Sequence, residues 1–212
     1  MDLMHMIRQH KIVAIARRAA PDKSLDMAQA LYDGGIRLIE VTFDQADPDC
    51  LSVTPRMIEC IAARFDGRMA VGAGTVLTRA QARAAADAGA QFALAPNVDP
   101  EVIDEALKRG MMPIPGALTP TVVQYAHALG AAVVKLFPAG DMGLVYMKSL
   151  RGPLAHIELL AVGGIHRDNL LDFLNAGAVA VGLASNLVDS KLIDQGRFDE
   201  LTELARSYTS LL

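Results

Sequence analysis

The sequence predicts an α/β protein that folds as a single (β/α)8 TIM barrel over residues 1–212. Short apolar segments rich in β-branched residues alternate with amphipathic helical segments along the whole chain, in about eight units of roughly 20 to 25 residues. Such alternation is typical of parallel strands covered by helices. An open doubly wound sheet is the alternative, but no G-x-G-x-x-G motif follows the first strand, which disfavours it.

Each predicted strand is an apolar run bounded by turn residues or by a charged residue. In chain order the strands are 12–17, 37–43, 69–74, 91–96, 111–116, 131–137, 158–164 and 178–184. Helical spacing of apolar residues, glycine stops and N-caps such as Thr119 define the segments between them. These helices are 22–35, a segment from near Pro55 to Phe65, 78–88, 99–108, 119–129, 144–150, 168–175 and 198–211. Pro48 and Pro55 are both suitable first-turn residues, so the start of the second helix stays open.

The composition is that of a globular protein with a large core. Apolar residues make up 52% of the chain and charged residues 21%, and the net charge of −4 disfavours nucleic acid and anionic membranes as partners. No apolar run approaches the roughly 20 residues of a membrane span, and the charged N-terminal segment does not resemble a signal peptide. Two cysteines, Cys50 and Cys60, make no disulfide framework, so we expect a cytoplasmic protein.

Two charged residues interrupt apolar strands. Lys135 lies within AAVVKLF and Glu40 within RLIEVTF. Burial lowers the pKa of a lysine, and a neutral amine can attack a carbonyl carbon to form a Schiff base. Burial raises the pKa of a glutamate, which suits a group that gives and takes protons. The alternative is a buried ion pair that only ties strands together, with Glu40 neutralising Lys135 or Arg17.

Glycines and hydroxyl groups follow the later strands. Gly163 and Gly164 stand at a turn from strand to helix, and Ser185 follows the last strand. In eight-stranded barrels these loops commonly bind phosphate through backbone N–H groups, although such turns can be purely structural. Thr75, after the third strand, is a candidate to hydrogen-bond a carboxylate.

Arg17 and Arg18 end the first strand, where a guanidinium can grip a carboxylate, although surface solvation is the alternative for each. The five histidines are scattered and form no H-x-H or H-E-x-x-H pattern, so we predict no metal and no cofactor.

Six motifs occur in this order along the chain, namely GGIRLIEVTF, VGAGTVLT, QFALAPNV, MPIPGALTPT, VVKLFPA and VGGI..DNL. In these motifs and in their order, the chain resembles the 2-keto-3-deoxy-6-phosphogluconate aldolase family. The family includes 4-hydroxy-2-oxoglutarate and 2-keto-3-deoxy-6-phosphogalactonate aldolases. The resemblance covers nearly the whole chain. It implies a class I aldolase on a small (β/α)8 barrel, a homotrimer and no need for metal.

The resemblance also implies residue roles. Lys135 matches the Schiff-base lysine and Glu40 the general acid/base. Thr75 matches a threonine that contacts the pyruvate carboxylate, and Pro96 a proline that lines the pyruvate pocket. The residues that match the phosphate-binding site of the family follow the last two strands of the barrel. These residues are Gly163, Gly164 and Ser185.

Four positions depart from the family pattern. Asp44 stands where many gluconate-type members have an arginine that binds the carboxylate. Arg17 instead matches an arginine of galactonate-type members, so we assign the carboxylate clamp to it. Val162 stands where a threonine often precedes the glycine pair, and Leu183 and Ala184 replace glycines before the last serine.

The predicted reaction is cleavage of a 2-keto-3-deoxy-6-phospho sugar acid of the gluconate type to pyruvate and glyceraldehyde 3-phosphate, with 4-hydroxy-2-oxoglutarate as a further substrate. The galactonate-type substrate is the alternative within the same mechanism. Two other hypotheses remain open. One is a phosphate-sugar isomerase or epimerase that uses Glu40 without covalent chemistry, and the other is a non-catalytic barrel that binds a sugar acid.

Overall fold

The computed structural model of the chain describes residues 2–17 and 20–212, so Arg18 lies outside the described residues. Its strands are β1 (Ile12–Ala16), β2 (Leu38–Thr42), β3 (Ala70–Gly74), β4 (Phe92–Leu94), β5 (Met112–Ile114), β6 (Gly116–Ala117), β7 (Val133–Leu136), β8 (Glu158–Val162) and β9 (Ala178–Leu183). Every neighbouring pair of strands is parallel, and the order is β5-β4-β3-β2-β1-β9-β8-β7-β6.

The two ends of this order are one interrupted strand. Only Pro115 separates β5 from β6, and its carbonyl oxygen accepts a hydrogen bond from the Lys135 backbone N–H at 2.9 Å. The predicted strand 111–116 is therefore split, because its first half pairs with β4 and its second half with β7. Strand β1 is paired on both sides, with β2 and with β9. The (β/α)8 barrel is confirmed, and the open doubly wound sheet is wrong.

Helices cover the outside of the barrel. They are α1 (Leu3–His10), α2 (Ser24–Asp33), α3 (Cys50–Phe65), α4 (Arg79–Asp87), α5 (Pro100–Lys108), α6 (Pro120–Ala128), α7 (Ala139–Arg151), α8 (Leu170–Asn175), α9 (Ser190–Asp194) and α10 (Phe198–Thr209), with a short 3₁₀ turn at Pro21–Lys23. None of the helices among the described residues is both long enough and apolar enough to cross a membrane.

Helix α3 begins near Pro48, the earlier of the two starts that the sequence left open. It starts at Cys50, and Pro55 lies inside it. A proline there removes one i→i−4 hydrogen bond, and its ring crowds the carbonyl group of Leu51. The buried face that includes Met57, Ile58 and Ile61 packs the helix onto the barrel and keeps it continuous across the proline.

Three further helices differ from the prediction. Helix α7 begins at Ala139 rather than near Leu144, and Gly143, with φ of 77°, interrupts its helical geometry. The glycine permits a bend that no pattern of apolar residues reveals. Helices α1 and α9, of eight and five residues, were not predicted. Both lie outside the regular alternation of strand and helix on which the prediction rested.

The apolar core has two layers, one between sheet and helices and one inside the barrel. Leu38 and Val133 belong to the inner layer. Because side chains alternate along a strand, Glu40 and Lys135, two residues further on, also point into the barrel. On β2 and on β7, the inward-facing residue that follows the apolar layer is therefore charged, and it lies at the carboxyl end of the barrel.

Candidate active site

A cavity of about 430 Å³ opens at the carboxyl end of the barrel. Four of the predicted site residues line it, namely Arg17, Thr75, Pro96 and Lys135. They come from the ends of four different strands, β1, β3, β4 and β7. This placement is typical of catalytic residues in (β/α)8 barrels.

Glu40 lies in the barrel beneath the cavity, with 2% of its surface exposed. Burial raises the pKa of its carboxyl group above 4.5, and the positive charges of Lys135 and Arg17 only partly oppose this. Its Oε2 atom is buried and has no hydrogen-bond partner among the residues that the structure describes. A buried carboxylate that only tied strands together would be hydrogen-bonded. A carboxylate oxygen at this depth without a protein partner can take up a proton or accept a hydrogen bond from a ligand.

Lys135 is also buried, with 7% of its surface exposed. Burial lowers the pKa of its ammonium group below 10.5, Glu40 raises it in part, and Arg17 lowers it further. The Nζ atom lies 4.9 Å from the centre of the Phe137 ring. The environment thus shifts the Lys135 ionisation toward the neutral amine, the form that attacks a carbonyl carbon.

A second cavity, of about 370 Å³, adjoins the first through Arg17. Ser185 and Ser190 line it, together with apolar residues of β1 and of the loop after β9. Arg17 lies between the two cavities, so its guanidinium can serve an anionic group in either. Its position also explains why its charge acts on the pKa values of both Glu40 and Lys135.

Gly163 and Gly164 form the turn after β8, and both have positive φ, of 87° and 68°. The carbonyl oxygen of Gly163 accepts a hydrogen bond from the Gly140 N–H at 2.7 Å, and that of Gly164 accepts one from the Asn169 side chain at 3.0 Å. These bonds fix the turn against the starts of α7 and α8. The residues that line the two cavities do not include the glycines, so their predicted phosphate contact stays a prediction.

Sequence reasoning missed several residues that line the first cavity. Thr42, Phe43, Gln45 and Phe137 all do so. Thr42 and Phe137 lie two residues beyond Glu40 and Lys135, so the same alternation along the strand could have found them. Gln45 lies in an irregular loop, and no sequence signal marks it.

Gly74 makes the space that the Glu40 carboxylate occupies. A methyl group added at Gly74 would lie 2.6 Å from Glu40 Cγ and closer still to Cδ and Oε1. We expect Gly74→Ala to displace the carboxylate and to lower kcat by about 10²-fold or more, the low end of what general acid–base catalysis supplies. Turnover measured against the fraction of folded protein checks this.

Gly72→Ala is the matched control, since it adds the same methyl group to the same strand but overlaps the Phe92 ring instead. Both variants overpack the barrel and should lose about 1 to 3 kcal/mol of folding free energy. If the two variants lost activity equally per folded molecule, Gly74 would have no special relation to Glu40.

Metal binding finds no support in the described part of the chain, which holds no group of three or more histidine, cysteine, aspartate or glutamate side chains able to bind a metal ion. Cys50 and Cys60 are both free and lie on one helix.

Comparison with known proteins gives a consistent result. A model of the KDPG and KHG aldolase family matches residues 3–204. A probable 2-dehydro-3-deoxy-6-phosphogalactonate aldolase of Rhizobium meliloti is 35% identical over 180 residues, covering 84% of this chain and 82% of the relative. A 2-dehydro-3-deoxy-phosphogluconate aldolase of Treponema pallidum is 32% identical over 207 residues, covering 96% and 94%.

Solved structures agree with the sequence comparisons. KDPG aldolase from Legionella pneumophila, with pyruvate captured as a covalent carbinolamine intermediate, superposes with a TM-score of 0.86 at 25% identity and covers 98% of each chain. A native KDPGal structure gives a TM-score of 0.83 at 30% identity, covering 94% of this chain and 92% of that one. With the family model matching nearly its whole length, this chain belongs to the KDPG and KHG aldolase family.

Proposed function

We propose that this aldolase is a class I enzyme, in which Lys135 forms a Schiff base with a 2-keto acid and Glu40 moves the protons. The observation that carries the proposal is the pairing of a buried lysine of lowered pKa with a buried glutamate of raised pKa at one cavity. Groups whose environments push their pKa values toward neutrality can exchange protons with little cost, as an acid–base pair must.

The proposed reaction begins when the neutral Lys135 amine attacks the C2 carbonyl of the substrate. Protonation of the carbinolamine oxygen releases water and leaves an iminium ion. Glu40 then removes the proton of the C4 hydroxyl group, the C3–C4 bond breaks, and its electron pair moves into the iminium to give an enamine. An aldehyde leaves as the first product. Protonation at C3 gives the imine of pyruvate, which water hydrolyses to release pyruvate and the free amine.

The residues at the cavity mouth supply orientation. Arg17 and Thr75 line the same cavity as Lys135 and would hold the carboxylate of the keto acid, while Pro96 bounds the pyruvate end. Ser185 lines the second cavity and would face the phosphate end. Gly163 and Gly164, in the turn after β8, would offer backbone N–H groups to the phosphate. Holding both ends of a substrate keeps the C2 carbonyl close to the amine, which is a large part of the catalytic advantage.

We propose a 2-keto-3-deoxy-6-phospho sugar acid of the gluconate type as the main substrate, with glyceraldehyde 3-phosphate as the aldehyde product and 4-hydroxy-2-oxoglutarate as a further substrate. A specific observation favours the galactonate-type substrate as the second candidate. Arg17, the arginine that matches galactonate-type members, lines the cavity, as does Asp44, which replaces the arginine of gluconate-type members. A homotrimer in the cytoplasm, with no metal or other cofactor, completes the proposal.

Two measurements test this proposal. Borohydride added with pyruvate should leave a reduced adduct on the peptide that carries Lys135, whereas an isomerase, an epimerase or a non-catalytic barrel would leave none. Parallel assays of the gluconate and galactonate substrates, with pyruvate release coupled to lactate dehydrogenase, then assign the substrate. Absence of both adduct and pyruvate release would refute the proposed function.

A further inference from the structure

Thr75 has an unusual backbone conformation. Its φ is 54°, in the left-handed region that favours glycine. For a β-branched residue this conformation costs on the order of 1 to 3 kcal/mol and persists only where neighbouring groups hold it. Thr75 lines the cavity beside Lys135, so the strain lies at the site of the proposed chemistry.

Three hydrogen bonds hold the peptide groups around Thr75. The carbonyl oxygen of Gly74 accepts from the Phe43 N–H at 2.9 Å, and the N–H of Val76 donates to the Leu94 carbonyl at 3.0 Å. Between them, the carbonyl oxygen of Thr75 itself accepts from Gln45 Nε2 at 2.9 Å. The first two bonds come from backbone groups, so Gln45 supplies the one side-chain contact among the three.

Gln45 is itself fixed by a buried partner. Its Oε1 accepts from Gln81 Nε2 at 2.9 Å. Gln81 is 4% exposed, and its own Oε1 accepts from the N–H groups of Leu77 at 2.7 Å and Thr78 at 3.2 Å. Gln81 and Thr78 also form the capping box that starts α4. The helix start thus orients Gln45, and Gln45 orients Thr75.

The hydrogen-bonding groups of Gln45 are already engaged by the protein. Its Nε2 also lies within hydrogen-bond distance of the Phe43 carbonyl oxygen, at 3.4 Å, so two backbone oxygens take up the two donors of the amide. Although Gln45 lines the cavity, it has no donor left for a substrate. Its role at the site is therefore indirect, through Thr75.

We infer that Gln45 is a positioning residue, which holds the left-handed backbone of Thr75 so that Thr75 can bind the carboxylate of the keto acid. The inference rests on the proposed function, because it assigns a ligand to Thr75. Its consequence is that loss of the Gln45 amide should weaken binding of the keto acid while the chemistry at Lys135, which Gln45 does not touch, continues at nearly the same maximal rate.

The test measures the initial rate of borohydride trapping at increasing pyruvate concentrations in Gln45→Met and Gln45→Ala variants. We expect half-saturation to require about 5 to 30 times more pyruvate, the factor that corresponds to losing one or two kcal/mol of stabilisation of the bound state. The maximal trapping rate should stay within about threefold. Gln124→Leu is the matched control, because Gln124 is exposed on α6 and has no side-chain hydrogen bond to the described residues.

A double-mutant cycle with Thr75→Val separates positioning from a general loss of stability. If Gln45 acts through Thr75, adding Gln45→Met to Thr75→Val raises the half-saturating pyruvate concentration no further. Unchanged half-saturation in the single variants, or effects that simply multiply, would overturn the inference while leaving the proposed function intact. Absence of trapping in the wild-type protein would overturn both.

Discussion

Replacing Lys135 with methionine is expected to abolish aldol cleavage and covalent trapping of pyruvate. Methionine has a similar length and no amine, so the variant cannot form the Schiff base. The rate should fall by roughly 10⁵-fold or more, the advantage that an intramolecular reaction of high effective molarity confers. Turnover in a lactate dehydrogenase-coupled assay and the mass of the borohydride-treated protein measure the two losses.

The same variant should stay folded. The pKa of Lys135 is lowered in the folded protein, so the unfolded chain binds its proton more tightly, and the buried ammonium costs stability below the folded pKa. That cost diminishes as the pH rises toward 10.5, the ordinary value for lysine. Methionine removes it. In thermal unfolding at neutral pH we therefore expect no loss of Tm.

Lys135→Arg is the control for charge. It keeps a cation beside Glu40, but a guanidinium does not lose its proton and cannot act as the nucleophile. Trapping should be absent in this variant as well. Retained turnover in either variant would show that Lys135 is not the nucleophile and would favour a non-covalent mechanism.

The barrel was predictable from sequence because its signal is repeated along the chain. Each of the eight predicted strands appears in the structure, and the alternation with helices specifies parallel pairing. The predicted element boundaries are wrong where a local effect opposes the periodic pattern of apolar residues. Pro55 suggested a helix start, yet the buried face of α3 carries the helix through it. Pro115 divides a single predicted strand between two partners, which depends on closure of the barrel rather than on local sequence.

The two charged residues at the centre of the candidate site stand out in the sequence for a different reason. A charge inside an apolar strand must be paired, neutralised or functional, and both Glu40 and Lys135 carry that signal. Gln45 carries none, since it lies in a polar loop where a glutamine is ordinary. Its importance comes from contacts with Thr75 and Gln81 that only the folded chain brings together. The backbone strain at Thr75 also has no signal in the sequence, where the residue is consistent with an ordinary turn.

Substitution of Glu40 by glutamine is expected to lower kcat by about 10² to 10⁴-fold, the usual contribution of general acid–base catalysis. The amide has nearly the same shape as the carboxyl group, so the fold should be preserved. The loss should appear in both carbinolamine dehydration and cleavage of the C3–C4 bond, because Glu40 moves the proton in each. Slow but detectable pyruvate trapping at Lys135 should remain, since the nucleophile is intact.

The pH dependence of trapping tests the role of Glu40 more sharply. In the wild-type protein the charges of Glu40 and Lys135 act on each other's pKa, so we expect the reactive form of the pair to hold one proton. Gaining a second proton at low pH, or losing the last one at high pH, should each stop the reaction, so the apparent second-order rate constant for trapping should follow a bell-shaped curve.

With glutamine at position 40, only the ionisation of Lys135 remains. The rate constant should rise with pH as the ammonium loses its proton and then stay level, with no descending limb. The rise should occur at a lower pH than the ordinary lysine value, because burial lowers the pKa of Lys135 and the carboxylate that raised it is gone. A bell-shaped curve that persisted in Glu40→Gln would mean that another group supplies the proton, and Glu40 would then be only a buried counter-charge.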